Sequence, residues 1–327
     1  MITDSYNRVH DYLRISLTDL CNLRCSYCMP EEDYPFMPAA QLMQPAEIAE
    51  IVKIFAAEGV TKVRLTGGEP LARKDFDDIL FRLQQLPVKL TLTTNATLLH
   101  RHIDQLLEAG VSSLNISLDT LQAPRFFSLT RRDRFFQTRE NIQLALQKGL
   151  QTKINMVVMK GVNEAEIPDF IEWTRHSPIE VRFIEFMPFA GNHWSGTQVF
   201  SKQEILELVQ QHYSITPLPV PPHSTSTPYQ IPGFQGSFAI ISTMSTPFCA
   251  GCNRMRLTAD GKMKNCLFSK EETNLLQALR EGKPLLPLIQ TNILGKAEKL
   301  GGQFSGQAYK HLEGDKLVNR SMISIGG

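Results

Sequence analysis

The chain has 327 residues, of which 42% are hydrophobic and 20% charged, and this is long enough for one large domain and a smaller one. The 34 basic and 33 acidic side chains nearly cancel, so no overall field favours nucleic acid or an anionic membrane surface. No apolar run approaches the roughly 20 residues needed to span a bilayer, and the N-terminus lacks a charged-then-apolar signal. We therefore expect a cytoplasmic globular protein that engages neither nucleic acid nor membrane.

Short β-rich runs alternate with amphipathic helical patterns from residue 12 to about residue 212. The predicted strands are residues 13–17, 62–66, 89–93, 113–118, 152–158 and 181–186. Six strand–helix units predict a parallel α/β sheet with right-handed crossovers, either a partial (β/α)6 barrel or an open doubly wound sheet. Both architectures place functional groups at the carboxyl ends of the strands. The pairs Asn163/Glu166 and Ser201/Glu204 have the spacing of capping boxes and predict helix starts.

A run rich in proline, serine and threonine at residues 214–233 interrupts this alternation. Such a composition cannot continue a helix and predicts an extended linker or a long surface loop. We therefore predict two domains, residues 1–213 and a smaller C-terminal domain at residues 214–327.

Three cysteines with C-x3-C-x2-C spacing follow the first predicted strand, namely Cys21, Cys25 and Cys28. Three thiolates on a short loop can hold three corners of a [4Fe–4S] cluster, because soft sulfur ligands suit iron. No fourth cysteine lies nearby, so one iron is left open to a small molecule, as an enzyme requires. A structural zinc site is the less favoured alternative, because it usually has four protein ligands with paired spacing. Six unevenly clustered cysteines in a chain without a secretion signal argue against disulfides.

A second group of three cysteines comprises Cys249, Cys252 and Cys266. Two strand-like runs flank Asp260-Gly261, a strong hairpin signal, and such a hairpin folds Cys266 back beside the other two. Taken alone, this group fits a zinc site as well as a cluster. Together with the first group it favours a second cluster that also leaves one iron open.

Arg254 and Arg256 lie two residues apart on the first strand of this hairpin. Alternate residues of a strand point to the same face, so the two guanidinium groups project together. Two such cations beside an open metal site favour a phosphorylated or carboxylated ligand.

The first cysteine loop, with Tyr27 before its last cysteine and Gly67-Gly68-Glu69-Pro70 after the second strand, resembles the radical S-adenosylmethionine superfamily. Further motifs make the chain similar to the GTP 3′,8-cyclase family, and they occupy residues 13–19, 64–71, 182–188, 249–256 and 326–327. The resemblance runs from about Arg14 to Gly327. It implies a partial (β/α)6 barrel of the radical S-adenosylmethionine type with a smaller C-terminal cluster-binding domain.

The resemblance implies two [4Fe–4S] clusters and S-adenosylmethionine as cofactors. The first cysteine group ligates one cluster and Cys249, Cys252 and Cys266 ligate the other. Contacts to S-adenosylmethionine are implied for Tyr27, Gly68, Ser117 and Met187. The implied reaction is abstraction of the 3′ hydrogen of GTP by a 5′-deoxyadenosyl radical, which gives 3′,8-cyclo-7,8-dihydro-GTP, the first step of molybdenum cofactor biosynthesis.

The same resemblance implies contacts to GTP from a cationic set of side chains and one threonine: Arg14, Arg64, Thr93, Lys153, Arg182, Arg254 and Arg256. The terminal pair Gly326 and Gly327 is implied to enter the active site and to help it act on GTP. No G-x4-G-K-[ST] loop is present, so side chains must hold the nucleotide. Ala96 stands where the family usually has glycine, and Leu20 stands where it often has a basic residue.

The implied partners are GTP as substrate, an electron donor such as flavodoxin or ferredoxin, and a downstream cyclic pyranopterin monophosphate synthase that receives the product. A monomer or a homodimer is expected. Two alternatives remain, another two-cluster radical enzyme that modifies a peptide or a sugar, and a zinc-stabilised binding protein without catalysis.

Overall fold

The computed structural model describes residues 1–31, 34–304, 310, 312 and 317–326. Within this part of the chain twelve strands form one sheet, in the order β12-β11-β10-β1-β2-β3-β4-β5-β6-β9-β8-β7. The first six strands are β1 (Tyr12–Ser16), β2 (Lys62–Thr66), β3 (Lys89–Thr94), β4 (Ser113–Ser117), β5 (Gln151–Val158) and β6 (Glu180–Glu185). They are parallel and adjacent in sequence order, and every bound lies within one residue of the prediction. The predicted parallel sheet is confirmed.

Helices follow the strands of this sheet and cover its outer face. They are α1 (Pro45–Ala57), α2 (Phe76–Leu83), α3 (Ile103–Glu108), α4 (Ala123–Thr130), α5 (Phe135–Gln147), α6 (Ile167–Trp173) and α7 (Lys202–Gln210). In α1 the buried side chains repeat at three- and four-residue intervals, so one stripe of the helix packs on the sheet. The capping box at Ser201/Glu204 is confirmed at the start of α7.

The capping box expected at Asn163/Glu166 is wrong. Glu166 is buried and turns away from the helix start, where it accepts hydrogen bonds from the Thr120 hydroxyl and the Leu121 amide. Asn163 is buried as well, and its side-chain oxygen accepts from the Met159 amide. Glu166 therefore braces the loop after β4, and Asn163 the turn after β5, instead of capping a helix.

Strands from the C-terminal part of the chain extend both edges of the six-stranded sheet. They are β7 (Thr216–Pro217), β8 (Thr227–Gln230), β9 (Ser237–Ile241), β10 (Arg254–Leu257), β11 (Lys262–Lys264) and β12 (Thr273–Asn274). Strand β10 pairs in parallel with β1, and β9 pairs in parallel with β6. The predicted hairpin around Asp260-Gly261 is confirmed by the antiparallel pairing of β10 with β11.

Strand β9 is absent from the sequence-based expectation, although Gly236 precedes an apolar run there. A Cβ atom on Gly236 would lie 2.3 Å from the carbonyl oxygen of Ile179, so only glycine allows β9 to approach β6 this closely. The predicted loop at residues 214–233 is only partly irregular, because β7 and β8 form a short hairpin on β9. The remaining helices are α8 (Leu275–Arg280), α9 (Leu285–Leu294) and α10 (Met322–Ile325).

The two faces of the sheet differ in chemistry. On β1, Leu13 and Ile15 are fully buried in the main hydrophobic core beneath the helices. The alternating residues Tyr12 and Arg14 point to the opposite face, where they line a cavity. The fold therefore directs polar and cationic side chains into the concave side of the sheet. No helix in the described ranges is long and apolar enough to cross a membrane.

Candidate active site

A cavity of about 190 Å³ opens at the carboxyl ends of the parallel strands. All three cysteines of the first loop line it, together with Tyr27, Gly68, Thr93, Ser117, Asp119, Asn155, Met187, Met322 and Ile323. The four residues predicted to contact S-adenosylmethionine are therefore gathered around one cavity with the first cysteine group. We refer to it as the thiol cavity.

Backbone hydrogen bonds fix the first cysteine loop beside helix α4. The amides of Cys28 and Met29 both donate to the carbonyl oxygen of Cys25, at 2.9 and 2.8 Å, which closes a tight turn. The amides of Arg24 and Ser26 donate to the carbonyl oxygens at the end of α4. The loop is thus a braced turn whose thiols face the cavity.

Gly68 cannot be replaced without moving the backbone. A Cβ atom at this position would lie 2.5 Å from the Leu20 carbonyl oxygen and 2.6 Å from that of Asp19. The Gly68 amide donates to the Thr18 carbonyl oxygen at 2.7 Å, so the glycine strand end packs directly on the cysteine loop.

Glu69 holds this strand end to the next one. Its buried carboxylate accepts from the Thr94 hydroxyl and the Asn95 amide, both at 2.7 Å, and from the Leu71 amide at 3.1 Å. Burial raises the pKa of this carboxyl to about 7, against the opposing effect of those hydrogen bonds. Both Thr93 and Thr94 line the cavity, but the Thr94 hydroxyl is committed to Glu69.

Tyr27 is fixed by a carboxylate that the sequence-based set of site residues lacks. Its hydroxyl donates to Asp119 Oδ2 at 2.7 Å, and Asp119 Oδ1 accepts from the Val157 amide at 2.9 Å. Burial raises the pKa of Asp119 to about 6. The Tyr27 ring lies edge-on to Phe186, with centroids 6.5 Å apart.

The three thiols of the first loop lie in apolar and acidic surroundings. Burial, followed by the nearby Glu69, raises the pKa of Cys21 to about 12. Burial also raises the pKa of Cys25 and of Cys28, where neighbouring thiols and Asp119 act in the same direction. All six cysteines of the chain are free thiols, and soft sulfur donors in threes suit an iron–sulfur cluster. In the described part of the chain no three His, Cys, Asp or Glu side chains are grouped closely enough to hold a single metal ion.

The second cysteine loop is held at a short 3-10 turn, Cys249–Gly251, that precedes β10. Here cations surround the sulfur: Arg254 Nη2 lies 3.4 Å and Lys296 Nζ 3.6 Å from Cys252 Sγ. Burial acts to raise the pKa of Cys252, but these two cations outweigh it and lower the pKa to about 6. Arg8 Nη1 donates to the Cys249 carbonyl oxygen at 3.0 Å and ties the N-terminal segment to this loop.

A second cavity of about 450 Å³ lies on the concave face, toward the amino ends of the strands. Its lining includes the basic residues Arg14, Lys62, Arg64, Lys89, Lys153, Arg182 and Arg254. We refer to it as the cationic cavity. Strand register explains the gathering, because Arg14 pairs with Arg64 on one side and with Arg256 on the other.

The individual cations of this cavity differ in how free they are. Arg14 Nε is buried without a hydrogen-bond partner among the described residues. Arg64 is engaged: its Nε donates to the Tyr12 hydroxyl at 2.5 Å and its Nη1 to the Leu92 carbonyl oxygen at 3.0 Å. Its Nη1 also lies 3.5 Å from Thr93 Oγ1, so Arg64 connects the cationic cavity with the thiol cavity. Burial acts to raise the pKa of Tyr12. The nearby cations, Arg14 and Arg64 first among them, outweigh this effect and lower the pKa to about 7.

Glu180 partly neutralises one side of the cationic cavity. It contacts Arg182 Nε and lies 3.8 Å from Lys153 Nζ. Lys62 adds a cation that the sequence-based set lacks, with Nζ 4.7 Å from the centre of the Tyr12 ring. The sequence does indicate this position, because Lys62 and Arg64 lie two residues apart on β2, just as Arg254 and Arg256 do on β10.

The C-terminal segment packs against β10 and against the carboxyl ends of β1 and β2. Arg256 is buried, and its Nη1 donates to the Gly326 carbonyl oxygen at 2.5 Å. Gly326 has a φ of +84°, and a Cβ atom there would lie 2.6 Å from Thr66 Oγ1. Arg320 anchors the segment by ion pairs with Asp260 at 2.9 Å and Glu272 at 2.6 Å. The predicted site residue Gly327 lies outside the described residues.

Two family models match the chain. The model described as "Radical SAM superfamily" matches residues 15–174, and the one described as "Molybdenum Cofactor Synthesis C" matches residues 179–301. The first match confirms the predicted superfamily, and with it S-adenosylmethionine and a [4Fe–4S] cluster as cofactors.

Relatives similar along the whole chain have been named in bacteria, plants and animals. The chain is 38% identical to "GTP 3′,8-cyclase" of Listeria monocytogenes, covering 100% of this chain and 99% of that protein. It is 42% identical to "GTP 3′,8-cyclase, mitochondrial" of Arabidopsis thaliana, covering 100% of this chain and 84% of that protein. It is 44% identical to the human "Molybdenum cofactor biosynthesis protein 1", covering 99% of this chain and 51% of that protein. The chain thus spans about half the length of several curated relatives that it matches.

Among solved structures, the fold resembles that of Streptococcus suis SuiB, with a TM-score of 0.62 and 17% identity over 89% of this chain and 68% of that one. A second structure of SuiB, bound to S-adenosylmethionine, gives a TM-score of 0.57 at 20% identity over 86% of this chain and 68% of that one. These likenesses concern the fold alone, and they agree with the predicted partial barrel.

Proposed function

Because the chain belongs to the GTP 3′,8-cyclase family of the radical S-adenosylmethionine superfamily, we propose that it converts GTP to 3′,8-cyclo-7,8-dihydro-GTP, the first step of molybdenum cofactor biosynthesis. The observation that carries the proposal is the meeting of two cavities at β2 and β3. Arg64 lines the cationic cavity and contacts Thr93, which lines the thiol cavity. A triphosphate and a radical source can therefore lie side by side.

The thiol cavity is the proposed site of radical generation. When a [4Fe–4S] cluster is bound at Cys21, Cys25 and Cys28, it supplies the electron that cleaves S-adenosylmethionine to the 5′-deoxyadenosyl radical. The protein's part is to position the cofactor and exclude water. Gly68 lets the end of β2 pack directly against the backbone before Cys21, and the Tyr27 ring is fixed by its bond to Asp119. We propose further contacts from Ser117 and Met187, which line the same cavity.

The cationic cavity is the proposed site of the triphosphate. Several negative charges require several cations, and charge-assisted hydrogen bonds from guanidinium groups are among the strongest available. The unpartnered Arg14 Nε supports a direct contact, because a buried donor without an acceptor costs free energy that a phosphate oxygen would recover. We propose that Lys62 joins Lys153 and Arg182 in this role. Thr93 is the proposed contact in preference to Thr94, whose hydroxyl is held by Glu69.

The guanine base is proposed to lie at a second [4Fe–4S] cluster held by Cys249, Cys252 and Cys266. Arg254 lines the cationic cavity and contacts Cys252, so one side chain faces both the proposed cluster and the proposed triphosphate. Arg256 holds the Gly326 backbone near β1 and β2. We propose that the terminal glycines, Gly326 and Gly327, enter the active site and help it act on GTP.

The remaining partners follow from the reaction. A one-electron donor such as flavodoxin or ferredoxin must supply the electron, and a cyclic pyranopterin monophosphate synthase is the proposed consumer of the product. We also propose that the chain acts in the cytoplasm, as a monomer or a homodimer, and as two domains joined near residue 213.

The test is an anaerobic assay of the reconstituted chain with reductant, S-adenosylmethionine and GTP. The expected result is 5′-deoxyadenosine together with a product of the same mass as GTP, because the hydrogen atom that C3′ loses to 5′-deoxyadenosine is made up by one electron from the reductant and one proton from the solvent after ring closure. Iron and sulfide analysis is expected to give two clusters per chain. Cleavage of S-adenosylmethionine without an isomer of GTP would discard GTP as the substrate, and zinc without iron would discard radical chemistry.

A further inference from the structure

Lys296 is a buried cation in the second cysteine site that none of the sequence motifs contains. Only 4% of the residue is exposed, and it follows the end of helix α9. Its Nζ donates to the Arg254 carbonyl oxygen at 3.0 Å and lies 3.6 Å from Cys252 Sγ.

In the described part of the chain, the surroundings of Lys296 contain no ordinary counter-ion. Among the described residues, no carboxylate oxygen lies within 4.0 Å of its Nζ. A buried ammonium group without an anion costs free energy, so the nearest group that can carry negative charge matters. Arg254 Nη2 lies 3.4 Å from the same sulfur, that of Cys252. Arg8 donates to the Cys249 carbonyl oxygen, so the groups nearby are cations and thiols. The thiolates are therefore the natural anions for this lysine.

Arg8 holds the segment that carries Lys296 in place. Arg8 donates to the carbonyl oxygens of Ala297 at 3.0 Å and Glu298 at 2.7 Å, and also to that of Cys249. One guanidinium group thus fastens the segment after α9 to the second cysteine loop. Lys299, three residues later, is 64% exposed and pairs with Glu298 at 3.8 Å.

We propose that Lys296 is a positioning residue for the second cluster, whose fixed charge balances the Cys252 thiolate and raises the reduction potential of that cluster. The proposal rests on the second cluster of the proposed function. Each electron added to a cluster increases its negative charge, so a nearby cation stabilises the reduced form more than the oxidised form. In the first cysteine loop Arg24 also acts on Cys21, but its Nη1 donates to the carbonyl oxygens of Cys21 and Leu23, and among the described residues no hydrogen bond from a cation reaches a sulfur there.

The experiment isolates the second cluster in a chain whose Cys21, Cys25 and Cys28 are replaced by alanine. This parent is reconstituted anaerobically, its iron and sulfide are counted, and its midpoint potential is measured by an EPR-monitored redox titration. Three variants are compared with it: Lys296→Met, which removes the charge but keeps the length, Lys296→Arg, which keeps the charge, and Lys299→Met as the exposed control.

We expect Lys296→Met to lower the midpoint potential, while Lys296→Arg and Lys299→Met remain close to the parent. Loss of the cluster from Lys296→Met alone, with Lys296→Arg still loaded, also supports the need for the charge. An unchanged potential in Lys296→Met, or equal effects of Lys296→Met and Lys296→Arg, would overturn the proposal while leaving the second cluster in place. A parent without iron and sulfide would instead overturn the second cluster itself, and the role of Lys296 with it.

Discussion

The two cysteine loops present the same number of thiols in different electrostatic surroundings, although burial raises the pKa of Cys249 in the second loop as it does for the first group. Burial and the carboxylates Glu69 and Asp119 raise the pKa values of the first group, whereas Arg254 and Lys296 lower the pKa of Cys252 in the second. Negative surroundings favour the oxidised form of a cluster and make it a stronger reductant, as cleavage of a sulfonium requires. Positive surroundings attract an anionic substrate. The contrast indicates two different tasks for two similar loops.

The largest expected effect comes from removing one cysteine from either loop, which separates cleavage of S-adenosylmethionine from cyclisation of the nucleotide. Cys28→Ala removes a ligand from the first group and is expected to abolish formation of 5′-deoxyadenosine from S-adenosylmethionine. Cys266→Ala is expected to retain this cleavage and to lose the cyclised nucleotide, because only the substrate site is damaged. Both products are measured by chromatography of the same anaerobic reaction. Cleavage by Cys28→Ala would contradict the assignment of the first loop.

The next effect tests the cationic cavity. Arg14→Gln removes the unpartnered guanidinium, and one charge-assisted hydrogen bond contributes about 1.5–3 kcal/mol, so GTP is expected to bind roughly 10- to 150-fold more weakly. Lys89→Gln is the control, since this exposed residue lies at the edge of the cavity. Anaerobic equilibrium dialysis with GTP measures both. Equal affinities for Arg14→Gln and the unaltered chain would place the triphosphate elsewhere.

The C-terminal segment offers a third test of the substrate side. In Gly326→Ala the added Cβ meets Thr66 Oγ1 at 2.6 Å and Ser16 Cβ at 2.9 Å, so the segment must shift. Small misplacements of a positioning group can cost about 10²-fold in rate, and we expect cyclisation to fall at least ~10-fold with iron content unchanged. Val318→Ala, at an exposed position before the segment, serves as the control. A fully active Gly326→Ala would mean that this segment has no part in the reaction.

The acidic surroundings of the first loop predict a pH dependence of the apo chain. The pKa of Asp119 is about 6 in the folded chain and about 3.8 when it is exposed, so the folded state binds the proton more tightly. Its contribution to stability is therefore full below about pH 4 and is lost as the pH rises through about 6. Asp119→Asn keeps an acceptor for the Val157 amide and removes this titration.

Urea unfolding of the apo chain at pH 4.5 and pH 7.5 measures the difference. We expect the unaltered chain to lose roughly 2 kcal/mol more than Asp119→Asn between those values. Parallel pH profiles for the two chains would show that Asp119 is ionised at an ordinary pKa.

The smallest effect concerns Ala96, which has a φ of +61° at a fully buried position. Replacing Ala96 by glycine relieves about 1 kcal/mol of strain in the left-handed backbone. It also costs about 0.5–1 kcal/mol in backbone entropy and about 0.8 kcal/mol in lost burial of the methyl group. These terms nearly cancel, so Ala96→Gly is expected to change the free energy of unfolding by less than about 1 kcal/mol. Thermal unfolding of both chains decides this, and a large stabilisation would show that alanine is poorly tolerated there.

Local sequence patterns predicted the features that depend on periodicity. The parallel strands, the hairpin at Asp260-Gly261 and the gathering of Arg254 with Arg256 follow from alternation and turn chemistry, which act over a few residues. Alternation on β2 could also have identified Lys62 beside Arg64. The left-handed backbone at Ala96 agrees with the glycine expected from the family.

Contacts between distant segments were not predictable in this way. Lys296 reaches Cys252 across 44 residues, and Glu166 contacts Thr120 across 46 residues instead of capping its own helix. Asp119 holds Tyr27 from 92 residues away. Such partners are fixed by the order of strands in the sheet, which the sequence pattern limits but does not determine.

The most direct test of the central claim uses GTP deuterated at C3′ in the anaerobic reaction with S-adenosylmethionine and reductant. If the two cavities bring the radical source to the ribose, deuterium is expected in the released 5′-deoxyadenosine, detected by mass spectrometry. Release of unlabelled 5′-deoxyadenosine would retain the radical chemistry of the first loop but contradict abstraction at C3′ of GTP. No 5′-deoxyadenosine from a chain with intact clusters would contradict the function assigned to the first loop itself.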